Sequence, residues 1–275
     1  MSVRPVAASG AALSNATRGG ILVPLGLSAL LLAGMPCASR AAGNQAQSVL
    51  QKMSALYRTA RTYQGSMVAH QTLSGQNGKT LNLTQTQQIK FKSPNKLYTQ
   101  TSVSATGALA ARVPKDTTIR VTDGRTFWAY SSAKKLYVKQ AVPPQSKGFS
   151  VYQILQLPAP EAASVKLLPS SSVQGHAAYV VEMMPHLPQI PNLRPEDRAK
   201  LLKARQPARF YIDRQNYQLL KVTVGGKNHA EIDFGPQVIN GAIADSAFTF
   251  TPPPGAKQFT PSPGGAPGTP RGRKR

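Results

Sequence analysis

Glu231 and Asp233 stand two positions apart in HAEIDF. On a strand, where side chains alternate, both carboxylates reach one face, which is the placement acid–base catalysis uses. The chain carries only 10 Asp plus Glu against 33 Lys plus Arg, so a carboxylate pair finds lysines for neighbours and reads as a solvated face. Glu182 and Asp213 are the other acids in expected strands. The four histidines, His70, His176, His186 and His229, are dispersed, with no pair at the helical spacing a zinc site uses. No Gly-x-Ser-x-Gly elbow, phosphate loop or zinc signature occurs. These residues predict no enzyme, no metal and no cofactor.

The side chains left to do chemistry are apolar and aromatic. In VTDGRTFWAYSS, Val121 to Ser132, the single tryptophan of the chain follows a phenylalanine and precedes a tyrosine by two, directly after an Asp-Gly turn. Read as a strand, Phe127 and Ala129 point one way while Thr126, Trp128 and Tyr130 point the other, so neither face is polar and both need cover. An N-terminal helix on one side, and an enclosed apolar space or a short helix on the other, would supply it. A core role for Trp128 is the simpler reading; beside a ligand cavity, its fluorescence would report binding.

Charge and leader restrict the surroundings. The net charge of +23 favours anionic lipids or polymers. Arg4 and Arg18, the apolar run GGILVPLGLSALLLAG and the small-residue stretch CASRAAG form a secretory signal peptide, expected over 1–41 with cleavage after Ala41 or Ala42. The run is short for a membrane span. Pro36 before Cys37 fits lipoprotein processing poorly. Cleavage after Ala41 removes Arg4, Arg18 and Arg40, lowering +23 to +20, and removes the one cysteine. An exported chain of this kind is expected in the periplasm, without a nucleic-acid partner.

The elements that must position the aromatic strand follow from periodicity. Ala46, Val49, Leu50, Met53, Leu56 and Tyr57 recur at three and four, predicting an amphipathic helix over 44–60. LNLTQTQQIKFK then alternates, with Leu81, Leu83, Ile89 and Phe91 on one face. Turns at GQNG (75–78), SPN (93–95), Asp123-Gly124 and Ala133-Lys134 separate hairpins in series. GFSVYQILQLP predicts a short helix ending at Pro158. VKLLP, HAAYVVEMM, RFYID, QLLKVTV, HAEIDF and AFTF predict further strands. Five prolines between Pro185 and Pro207 frame an inserted helix in PEDRAKLLKAR, and the Pro/Gly-rich tail 258–275 is expected to be disordered. The fold class is mainly β, an antiparallel sheet or incomplete barrel of about 11–12 strands with helices, in one domain spanning 42–257.

Several motifs together resemble the periplasmic lipoprotein carriers, the LolA-like family. VTDGRTFWAYSS is similar to their V-S-D-G-K-T-L-W-x-Y segment, FKSPNKLY (91–98) to their strand pair with a Pro-Asn corner, and FTFTPPPGA (248–256) to their closing strand. The resemblance spans about Gln45 to Lys257. It implies a half-barrel with helices as a lid over an apolar cavity that receives acyl chains, carrying lipoproteins between membranes. Met67, Leu83, Phe91, Leu97, Trp128, Tyr130 and Phe250 would line the cavity. Val49, Leu50, Met53, Leu56, Phe149, Tyr152 and Leu155 would form the lid. Partners so implied are acyl chains, an inner-membrane releasing complex and an outer-membrane acceptor, bound by a monomer. Where the carriers commonly have an arginine that hydrogen-bonds the lid, this chain has Ser93, whose hydroxyl cannot span the same gap.

Arg271, Arg273, Lys274 and Arg275 end the tail, where they would meet an anionic membrane surface at up to about 1 kcal/mol each. On the same scaffold, a second reading is a non-transporting module that recognises an envelope protein or anionic polymer through the inserted helix and the tail.

Overall fold

The computed structural model describes residues 42–74, 80–108, 110–143, 148–187, 194–226 and 229–260. The leader, the GQNG turn and the basic tail with Arg271, Arg273, Lys274 and Arg275 lie outside the described residues.

Helix α1 (Ala42–Thr59) carries Ala46, Val49, Leu50, Met53 and Tyr57 on one stripe, all buried, while Gln51, Lys52 and Arg58 face solvent. Spacing of three and four puts these side chains on one side of the helix. Arg58 lies in the last turn, where it complements the helix dipole.

Six strands follow in a meander: β1 (Thr62–Ser74), β2 (Thr80–Lys92), β3 (Lys96–Gly107), β4 (Asp116–Asp123), β5 (Thr126–Ser131) and β6 (Leu136–Ala141). Helix α2 (Val151–Ile154) leads into β7 (Ala163–Val173) and β8 (His176–Pro185). After α3 (Pro195–Ala204) come β9 (Ala208–Asp213), β10 (Leu219–Val224) and β11 (His229–Phe234), then the two-residue strands β12 (Val238–Ile239) and β13 (Lys257–Gln258). All join one 13-stranded sheet in the order β13-β6-β5-β4-β3-β2-β1-β11-β10-β9-β8-β7, with β12 beside β1. The antiparallel pairing of β1 with β11 makes one sheet of the two meanders. Since β13 and β7 do not pair, the sheet stays open, as an incomplete barrel.

One face of this sheet is dry. The registers chain Tyr63 to Phe91, Phe91 to Leu97, Leu97 to Thr122 and Thr122 to Phe127, and paired residues share a face. Tyr63, Ile89 and Phe91 cluster with α1, with Tyr152 of α2 and with Val181, Phe210, Val222 and Phe234 from the second meander. Val165 and Leu167 of β7 and Leu97 of β3 pack against this same cluster, although seven strand steps, roughly 34 Å along a flat sheet, separate them. The sheet therefore curls around the helices, and the face of Tyr63 and Phe91 is its inner face.

Three expectations are corrected. AFTF is no strand: Asp245–Phe248 is a 3-10 helix with Phe248 fully buried. Lys92 and Lys96 each hold an Asp245 carboxylate oxygen at 2.7 Å, which fixes the turn and overrides the local alternation. The helix expected over GFSVYQILQLP has only four residues; a Ser150–Gln153 capping box starts it, and Gln156 at φ 52 ends it. The strand expected at VKLLP runs on through Pro169 to Val173, with its register shifted between Leu168 and Ser171, which an edge strand tolerates. The inserted helix is present, with Pro195 in its first turn and Glu196 and Asp197 following.

Candidate functional site

The inner face and the helices seated on it form the candidate site. α1 is anchored through Tyr57. Its hydroxyl accepts the Leu219 N–H at 2.9 Å and donates to Gln237 Oε1 at 2.6 Å, while Gln237 Nε2 donates to the Leu219 carbonyl at 2.7 Å. Tyr63 meets Tyr57 edge-on, with centroids 6.2 Å apart. Burial pushes both hydroxyls well above the usual tyrosine range. Farther along α1, Lys52 reaches the Tyr217 hydroxyl at 3.1 Å and lies over its ring, and Tyr217 stacks on Tyr179.

α2 is held from two sides. The Arg58 guanidinium lies over the Tyr152 ring, and the Tyr152 hydroxyl donates to the Pro158 carbonyl at 2.6 Å. Phe149 packs on Phe91, with centroids 5.7 Å apart. Gly148 sits so close to the Pro-Asn corner that a Cβ there would lie 2.8 Å from the Pro94 carbonyl oxygen. Ser93 is exposed, and its N–H donates to the Arg61 carbonyl at 2.7 Å. The cation–π contact of Arg58 with Tyr152 thus joins the two helices.

The residues read as lid come together. Val49, Leu50, Met53 and Tyr152 are buried, and Leu56, Phe149 and Leu155 are half-buried. Those read as cavity lining split into two groups. Met67, Leu83, Phe91 and Leu97 share the inner face, where Phe91 is in the core and the other three are partly covered. Trp128 pairs with Lys139 and Tyr130 with Tyr137 on the outer face, where Phe250 lies 6.1 Å from Tyr130. The chain after β12 covers this side of the sheet, with Phe248 buried. Neither α1 nor α2 is the cover of Trp128, so its fluorescence is not placed to report on the inner face.

A depression of about 150 Å³ lies along α1, lined by Gln51, Ser54, Ala55, Arg58, Pro160 and Glu161, and a polar one of about 380 Å³ lies beside Asp116. A cavity near 150 Å³ holds a benzene-sized molecule, far short of a long acyl chain. The Ser54 hydroxyl is buried in the α1 seat with no hydrogen-bond partner among the described residues.

The catalytic candidates are tied up structurally. Lys221 Nζ bridges Glu231 at 2.6 Å and Asp233 at 3.5 Å on the outer face, and its hydrogen bond holds the Glu231 carboxyl below the usual range. His176 meets Asp213 at 2.9 Å, and His70 meets Thr84 at 3.2 Å. Among the described residues no group of three or more His, Cys, Asp or Glu could hold a metal ion, and no helix is long and apolar enough to cross a membrane.

The sequence reading missed Gln237 and the Arg58–Tyr152 contact. Gln237 bonds to residues 18 and 180 positions away, which no local pattern encodes. Arg58 carried a weak signal, as a cation one step beyond Tyr57 on the rim of the apolar stripe.

Residues 46–178 match a family described as "Predicted periplasmic protein (DUF2092)". An uncharacterized protein of Methanocaldococcus jannaschii is 24% identical over 240 residues, 84% of this chain and 58% of that protein, so the chain spans little more than half of its relative's length. Among solved structures, LprF from Mycobacterium bovis superposes with a TM-score of 0.42 at 13% identity, covering 73% of this chain and 95% of its own. MucB of Pseudomonas aeruginosa, solved with MucA, gives 0.38 at 14%, covering 75% and 61%. A LolA superfamily protein from Nitrosomonas europaea gives 0.26 at 11%, covering 74% and 97%. The matched family is thus described as periplasmic, the compartment that the leader implies.

Proposed function

We propose that this periplasmic chain binds the acyl chains of lipids or lipoproteins against the inner face of its sheet, in place of α1 and α2, and carries them toward the outer membrane. The observation that carries this reading is the seating of the two helices. They cover the apolar inner face of an open sheet, meet each other in the apolar core and through a cation–π contact, and leave Met67, Leu83 and Leu97 at the margin of the covered area. An acyl chain entering at that margin exchanges helix side chains for methylenes, each worth about 0.8 kcal/mol on burial. About fifteen methylenes supply roughly 12 kcal/mol, less the helix contacts given up. The reaction is binding and release, with no covalent step.

Native mass spectrometry of the mature protein purified from the periplasm, followed by lipid extraction of any heavier species, tests this. A bound phospholipid or acylated peptide supports the reading. A bare mass that persists with added acyl probes, in a folded sample, overturns it.

A second reading is favoured by α3. None of its residues is buried, Leu201 and Leu202 are 38% and 43% exposed, and Arg198, Lys200 and Lys203 accompany them. Such a helix suits recognition of an envelope protein or anionic polymer. Deleting α3 or the basic tail then abolishes capture of that partner while acyl binding persists.

A further inference from the structure

Arg120 lies on the inner face of β4, paired with Thr99 of β3 on one side and Ala129 of β5 on the other. The chain has 33 Lys plus Arg, yet within β1 to β12 the registers put only this one on the inner face. Lys257, on the edge strand β13, is three strands farther out. Lys90, Lys92, Lys96, Lys139, Lys166, Arg209 and Lys221 are all on the outer face.

The Arg120 charge is uncompensated. Asp116 is the acid of this face, four residues or roughly 13 Å away along the strand. Its oxygens are already taken, by the Ser131 hydroxyl at 2.9 Å, the Ser132 hydroxyl at 3.0 Å and the Ala133 N–H at 2.9 Å. No ion pair or cation–π contact engages Arg120 among the described residues, and the residue is exposed while Thr99, Thr122 and Ala129 around it are buried.

The inner face changes character toward this point. Around the helices it carries Val165, Val181, Phe210, Val222, Phe234 and Tyr63, while on β2 to β4 it presents Gln87, Thr101 and Thr118. Arg120 stands two strands, about 10 Å, from the core residue Ile89. An apolar seat bordered at that distance by hydroxyls, an amide and one free guanidinium matches an amphiphile with a single anionic head.

Building on the acyl-binding reading, we propose that Arg120 binds the headgroup, and that the ligand of the inner face carries a carboxylate or phosphate there. The guanidinium fork takes either anion through two parallel N–H···O bonds.

Three probes of equal chain length test this: palmitate, 1-palmitoylglycerol 3-phosphate and neutral 1-palmitoylglycerol. Each is titrated into the full mature chain, the R120Q variant and the outer-face control K139Q, with folding checked by circular dichroism. The wild type is expected to bind one or both anionic probes about tenfold more tightly than the neutral one, a gap of about 1.4 kcal/mol. K139Q keeps that preference and R120Q loses it; the tighter anion names the group. Equal affinity of wild type for all three, a preference surviving in R120Q, or one lost equally in K139Q overturns the headgroup role while leaving acyl binding intact. Binding of none of the three overturns both.

Discussion

The Arg58 guanidinium lies over the Tyr152 ring, 4.4 Å from its centroid, and this contact couples α1 to α2 across the mouth of the sheet.

A double-mutant cycle with Arg58→Met and Tyr152→Leu, followed by chemical denaturation, is expected to give a coupling energy of about 0.5–1 kcal/mol. If closure of the helices opposes ligand entry, Arg58→Met also raises the apparent affinity for acyl probes, since the open state becomes more populated.

Tyr57→Phe removes the acceptor for the Leu219 N–H and the donor to Gln237, and is expected to cost about 1–3 kcal/mol. Alkali adds a signature. Burial raises the Tyr57 and Tyr63 hydroxyls above their ordinary value of 10, so the unfolded chain releases protons first. Their stabilisation is complete below pH 10 and is lost progressively as pH rises beyond it. The decline of unfolding free energy above pH 10 is therefore steeper in wild type than in Tyr57→Phe.

Ser54 is the opposite case, a buried hydroxyl on α1 without a partner among the described residues. Ser54→Ala removes an unsatisfied polar group and improves helix propensity, so thermal unfolding should show stabilisation of about 1 kcal/mol. Destabilisation by that amount would mean the hydroxyl is satisfied in solution.

Asp245 pins the segment that covers the outer face of β3 and β4. Hydrogen bonds from Lys92 and Lys96 hold its carboxyl at about 2, below the ordinary 3.8. The clamp is complete above pH 3.8 and is lost as pH falls toward 2. Asp245→Asn should speed hydrogen exchange at 243–250 at neutral pH, and wild type should reproduce that change only near pH 2.

Much of this fold was legible because one face of each strand is dry. In LNLTQTQQIKFK the alternation alone separated Leu81, Leu83, Ile89 and Phe91 from the lysines and amides, and the stripe of α1 was as plain. AFTF misled because its alternation is local, whereas the turn it forms is held by Lys92 and Lys96, about 150 residues upstream. Trp128 shows the other limit. Its opposition to Phe127 could be read from the strand, but which of the two faces inward is decided by registers passed from Tyr63 through β2, β3 and β4. The Pro94-Asn95 and Asp123-Gly124 turns fix β2 to β3 and β4 to β5, but the β3-to-β4 step crosses a longer connection with no tight-turn register, so neither the face of Trp128 nor that of Arg120 follows from local pattern.

The most direct test of acyl binding at the inner face is photolabelling of the mature protein with a diazirine-bearing palmitate, followed by peptide mapping of the crosslinks. The account predicts saturable labelling of the β1 to β3 peptides carrying Met67, Leu83, Phe91 and Leu97, competed by unlabelled palmitate. Labelling confined to the outer-face peptide with Trp128 and Tyr130, or none that competes, would contradict it.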